Sequence, residues 1–130
     1  MKRFEIWTAD MPKFPGSTLK YGHRPVIIVS DDGHHVDVSC VSVVPLTTNL
    51  TSPQRPSHVL LCSHYLDQPS RVLCEQITTV DKSRLRRRIG YVEDPYDRFA
   101  LNRALAFQLH LTLTTYIYEK EASIYEVGPL

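Results

Sequence analysis

The chain has 130 residues, with 15 Lys and Arg against 14 Asp and Glu, for a net charge of +1. Hydrophobic residues make up 42% and charged residues 22%, the balance of an ordinary globular protein whose length fits one domain and one core. No apolar run approaches the ~20 residues of a transmembrane helix, and Met1-Lys2-Arg3-Phe4-Glu5 starts no apolar leader, so a cytoplasmic protein without a membrane partner is expected.

Cys40, Cys62 and Cys74 are odd in number and irregularly spaced, each in or beside an apolar run. They read as buried free thiols rather than a disulfide frame or a zinc site. Charge is uneven along the chain. Lys82, Arg84, Arg86, Arg87 and Arg88 form a basic run, and Glu119, Glu121 and Glu126 make the tail acidic. Such a basic face is either a solvated surface or a local site for a polyanion.

Phe4–Ala9 is aromatic and β-branched and predicts a first strand. Asp10 to His23 is a long loop with Pro12, Pro15, Gly16 and Gly22, long enough to be a binding loop. Pro25–Ser30 is the second strand. Pro25 suits its start because it lacks an N–H, and it holds Arg24 extended at the rim. Val26 to Val29 read as buried on both faces. A third strand spans Val36–Leu46, a fourth His58–Cys62, a fifth Arg71–Val80 and a sixth Arg88–Val92. Gly90 marks a bulge or tight bend in the last. Asp81-Lys82-Ser83 predicts a capped helical turn.

One helix is clear. Asp94 is its N-cap, Pro95 its first residue, and Asp97 lies in its first turn. Leu101, Ala104, Leu105 and Leu109 form its apolar face, and it ends near Leu111. Thr112–Tyr118 reads as extended. Short strands followed by one helix predict a small, strongly bent antiparallel barrel with a helix packed on it.

His23-Arg24-Pro25-Val26, Val44-Pro45-Leu46-Thr47-Thr48-Asn49, Pro56-Ser57-His58-Val59, Val72–Lys82 with Glu75-Gln76, and Arg88-Ile89-Gly90 occur in this order. Together they resemble the MazF/PemK toxin family, the RNA-cutting half of bacterial type II toxin–antitoxin pairs. The resemblance covers about Lys2 to Leu113, giving a toxin domain at 1–113 and an extension at 114–130. It implies an SH3-like barrel, a homodimer, and a metal-independent endoribonuclease that cuts short sequences in single-stranded RNA and needs no cofactor. It also implies an acidic, partly disordered antitoxin as partner.

The family's catalytic arginine falls on Arg24 and its catalytic threonine on Thr47, with Thr48 adjoining as the alternative register. The family's first-loop pattern Gly-Ser-Glu-Gln is here Gly16-Ser17-Thr18-Leu19, so an RNA contact carries over no further than Ser17. The extension 114–130 takes no role from the family. Its Tyr116, Ile117, Tyr118, Ile124, Tyr125 and Val127 predict an ordered segment packed on the domain or on the partner subunit.

The chemistry is coherent. RNA holds its own nucleophile, the 2′-hydroxyl. Arg24 would stabilise charge on the phosphate and Thr47 would hold a non-bridging oxygen, while a guanidinium is a poor general base. His23 is the natural proton carrier by residue type, yet alternation along a strand points it away from Arg24. His58 reads as a rim histidine bonding a backbone carbonyl. Gln76 either contacts RNA or satisfies a buried backbone group. Tyr21 and Phe14 are candidates to stack unpaired bases, and Trp7 reads as core. His34-His35 beside Asp31, Asp32 and Asp37 matches no metal loop. Two further readings are a non-enzymatic, CcdB-like poison of DNA gyrase and a plain SH3-like interaction module. The Arg24/Thr47 pair and the ending Val127-Gly128-Pro129-Leu130 disfavour the gyrase reading.

Overall fold

The computed structural model describes residues 1–31 and 38–112. The readings placed on the His34-His35 turn and on the extension 114–130 lie outside them. Seven strands form one mostly antiparallel sheet: β1 (Glu5–Met11), β2 (Gly22–Ile28), β3 (Cys40–Thr47), β4 (His58–Leu61), β5 (Ser70–Leu73), β6 (Thr78–Asp81) and β7 (Leu85–Tyr91), followed by helix α1 (Pro95–Leu109). The order is β4-β5-β3-β2-β1-β7, with β6 also on β3. Among the described residues no ladder joins β4 to β7, so the predicted barrel is an open sheet.

Strand alternation sorts the core into two clusters. Ile27, Val29, Val44 and Leu46 join Ile6, Leu61, Val72 and Cys74 under Leu101 and Leu105 of the helix. Val26, Ile28, Val41 and Val43 join Ala9, Met11 and Leu85 in the other, with Trp7 packed against it. Successive residues of β2 and β3 thus serve opposite faces, which is why Val26–Ile28 and Val43–Leu46 are apolar without interruption. Full burial of each such side chain contributes about 1.5–3 kcal/mol.

The fifth predicted strand is two. Leu46 faces Val72, but Val43, three residues back, faces Thr78, six residues on. The second side of β3 therefore carries three extra residues, and these are the 3₁₀ turn Cys74–Gln76. Glu75 and Gln76 stand on that turn rather than in mid-strand. The third strand also starts later than predicted, at Cys40, with Val38 and Ser39 outside it.

Gly90 has a definite reason. Ile6 faces Gly90 and Trp7 faces Arg88, leaving Ile89 as the extra residue of a bulge. The Tyr65 ring lies on the Gly90 backbone, where a Cβ would stand 2.2 Å from Cγ. The Asp81 turn forms as predicted, with Oδ1 accepting the Ser83 N–H at 2.9 Å. Asp94 caps α1 by accepting the Tyr96 N–H at 2.8 Å, and His110 closes it in the left-handed conformation.

Two apolar expectations are corrected. Leu109 is exposed, because Ala106 takes the buried position beside Leu105 while Leu109 falls in the last turn, at the helix end. Cys40 and Cys62 are exposed and only Cys74 is buried. The first opens a strand and the second follows one, so neither is enclosed by neighbouring strands.

Candidate active site

The register of β2 and β3 builds the site. Val26 faces Pro45 and Ile28 faces Val43. Continuing that ladder by two residues sets Arg24 across from Thr47. On the other side of Thr47, β5 places Arg71 directly opposite. Directly opposed residues in a sheet share a face, so Arg24, Thr47 and Arg71 form one row across three strands. Adjacent strands lie ~4.8 Å apart, so the two arginine backbones are roughly 10 Å apart.

Arg24 is held by main chain. Gly22 has φ +83°, a conformation that favours glycine, and it turns the chain so that the Tyr21 carbonyl accepts Arg24 Nε at 2.9 Å. Arg24 Nη1 donates to the Leu46 carbonyl at 3.1 Å. Burial lowers the Arg24 pKa from its ordinary value, with the Tyr21 hydroxyl acting the other way. The group starts so high that it stays a cation. No carboxylate pairs with it among the described residues. Its cleft of about 280 Å³ is lined by His23, Arg24, Pro25, Leu46, Thr47, Thr48 and Ser70. Thr47 Oγ1 accepts the Asn49 N–H at 3.1 Å. The hydroxyl proton is therefore left to donate elsewhere.

A second cleft of about 480 Å³ shares Thr47 as its border. Arg71, Arg55, Lys20, His58, Glu75 and Gln76 are among its lining residues. His58 is buried, contrary to the rim reading. Its Nδ1 accepts the Arg55 N–H at 3.1 Å, so Nε2 carries the proton and donates to Glu75 Oε2 at 3.0 Å. Ser57 Oγ donates to Glu75 Oε1 at 3.2 Å. With both ring nitrogens engaged, His58 acts as a brace between the 49–57 loop and the 3₁₀ turn. Gln76 Oε1 accepts the Lys20 N–H at 2.8 Å, tying the first loop to the same turn. That contact satisfies a backbone group, and the side chain also lines the cleft.

The other expected residues divide. His23 and Thr48 line the Arg24 cleft. His23 Nδ1 meets Asp10 Oδ1 at 3.0 Å, and Arg86 holds the other Asp10 oxygen. These contacts lower the Asp10 pKa, the His23 bond first and Arg86 next. Ser17 Oγ accepts the Leu19 N–H at 3.0 Å within its own turn, and Ser17 lines neither cleft. Tyr21 contributes its carbonyl to Arg24, while its exposed ring lies 4.8 Å from Lys13 Nζ. Phe14 is exposed away from both clefts. In the basic run, Arg86 is spent on Asp10 and Arg88 sits 3.4 Å from Glu5. Among the described residues no group of three His, Cys, Asp or Glu side chains converges on a point.

Arg71 opens the predicted fifth strand, and nothing in its neighbours signals that it lies opposite Thr47.

Known proteins share the sequence pattern and the fold. The PemK-like, MazF-like toxin family of type II toxin–antitoxin systems matches residues 2–109. Endoribonuclease MazF of Staphylococcus saprophyticus is 33% identical over 96 residues, 72% of this chain and 79% of the relative. An endoribonuclease solved in complex with its cognate antitoxin from a mycobacterial species superposes with a TM-score of 0.68 at 28% identity, covering 86% of this chain and 97% of that one. The Mycobacterium tuberculosis toxin MazF-mt6 gives 0.68 at 28% identity over 83% and 98%. The chain belongs to the PemK-like, MazF-like toxin family of type II toxin–antitoxin systems.

Proposed function

We infer that this toxin endoribonuclease cuts single-stranded RNA, without a metal ion, at a phosphate seated between Arg24 and Thr47. The observation that carries the reading is the shared cleft: a cation fixed by two carbonyls and a hydroxyl that borders the same cavity. The ribose 2′-oxygen attacks phosphorus and gives up its proton. The P–O5′ bond breaks and O5′ is protonated. Arg24 stabilises the charge gathered on the non-bridging oxygens, and Thr47 Oγ1 donates to one of them while the Asn49 N–H fixes its orientation. The products are a 2′,3′-cyclic phosphate and a 5′-hydroxyl. Cutting at short sequences in messenger RNA stops translation and growth.

An acidic, partly disordered antitoxin that imitates the RNA backbone is the partner we propose, with the toxin as a homodimer. A related endoribonuclease is seen with its cognate antitoxin, and a disordered acidic segment can fold along a cationic cleft. Incubating a long RNA with the protein in EDTA and mapping the new 5′ ends tests the reaction. We expect 5′-hydroxyl ends at a recurring short sequence. Ends bearing 5′-phosphate, or loss of cutting in EDTA, would overturn the mechanism.

A further inference from the structure

Arg71 is 6% exposed, yet among the described residues it meets no carboxylate. Its Nη1 donates to the Ser52 carbonyl at 2.8 Å and to Ser52 Oγ at 3.3 Å. Among the described residues its Nη2 reaches only the Leu50 carbonyl, at 3.5 Å, and its buried Nε has no partner. Nε and Nη2 form one edge of the guanidinium fork, the edge suited to two oxygens of one anion. A buried cation left with two of its five donors unmet is costly unless something completes it.

The surroundings point to the same ligand. Arg71 lines the larger cleft with Lys20 and Arg55, for which no ion pair is seen among the described residues. The cleft's one carboxylate, Glu75, already accepts from Ser57 and His58. The two clefts meet at Thr47, so a chain whose scissile phosphate lies by Arg24 continues past Thr47 towards Arg71.

We propose that Arg71 binds the RNA phosphate next to the scissile one, as the second cation of the row Arg24–Thr47–Arg71. The proposal rests on the reading that RNA is cut at Arg24 and Thr47. It adds that affinity and chemistry are divided between the two arginines: Arg24 acts on the reacting phosphate, and Arg71 on its neighbour.

The test uses the full-length protein and an oligonucleotide copying a mapped cut site, with a 2′-deoxyribose at the cut position to block cleavage. Arg71→Met keeps the bulk and removes the charge together with the donors to the Ser52 and Leu50 carbonyls, so a thermal melt first establishes that the variant is folded. Its affinity should fall about tenfold or more, the scale of a lost charge-assisted hydrogen bond. The slope of log affinity against log salt should shrink by about 0.7, the release expected for one single-strand phosphate. At saturating cleavable RNA the single-turnover rate should stay near wild type, which a role in merely supporting Thr47 would not allow.

A second measurement needs no variant. Neutralising the flanking phosphates one at a time as methylphosphonates should weaken wild-type binding at one flank, and in Arg71→Met that penalty should vanish. A folded Arg71→Met with unchanged affinity and slope overturns the proposal, as does wild-type indifference to both methylphosphonates. Wild-type protein that cuts no RNA would instead overturn the cleavage reading on which the proposal rests.

Discussion

Arg24→Lys separates charge from geometry at the reacting phosphate. A guanidinium has five N–H donors. In Arg24 one is spent on Tyr21 and one on Leu46, which leaves three for the phosphate. An ammonium has three donors, so satisfying the same two carbonyls would leave one. The charge remains, so affinity for an uncleavable RNA should change by no more than about threefold, because single-strand binding follows neutralised phosphates. Losing preorganised donors aimed at a developing oxyanion should lower the cleavage rate by ~10²–10³-fold. Stability should fall by about 1–2 kcal/mol, the low end for hydrogen bonds from a charged donor that is only half-buried. Single-turnover cleavage under saturating enzyme, binding to the 2′-deoxy analogue and a thermal melt provide the three readouts. A lysine variant that binds normally and cuts within tenfold of wild type would refute the reasoning. The fork would then have no part in the chemistry.

Thr47→Ala should suppress cleavage by at least about tenfold, and Thr48→Ala should not, because Thr47 alone borders both clefts and has its oxygen set by Asn49; the opposite ranking would move the site by one residue. Gly90→Ala should destabilise the fold by about 1–3 kcal/mol, since the new Cβ would displace the Tyr65 ring and with it the contact to Tyr91. An unchanged melting temperature would show that the ring yields freely. Burial, with a smaller contribution from the Glu75 charge, pushes the Cys74 thiol up to about 12. Thiol titration should therefore find the exposed Cys40 and Cys62 reactive and Cys74 released only on unfolding, and equal rates for all three would contradict its burial. The Asp10 and Asp81 carboxyls are lowered in the fold. Their contribution is present above the unfolded value near 3.9 and is lost as pH falls through the folded value. Melting temperature should decline below about pH 4, less steeply in Asp10→Asn, and equal slopes would mean that the Asp10 contacts with His23 and Arg86 add nothing.

Local chemistry made much of this protein legible in its sequence. Pro25 with a β-branched run announces a buried strand, Asp94-Pro95 announces a helix, and Asp81 announces a capped turn. All three depend on neighbours within a few residues, and all three are present. The order of the motifs singles out Arg24 and Thr47, and the fold brings both to one cleft. What tertiary structure decided depends on register between distant segments. Whether Arg71–Val80 is one strand or two turns on the three-residue slip against β3, to which local β propensity is blind. Gly90 is small because of Tyr65, twenty-five residues away in the chain. His58 and Glu75 pair only because separate elements bring them together. Arg71 shows the limit most clearly. Its neighbours in the chain do not mark it, and only the fold sets it opposite Thr47, buried beside the cleft and, among the described residues, without a carboxylate partner.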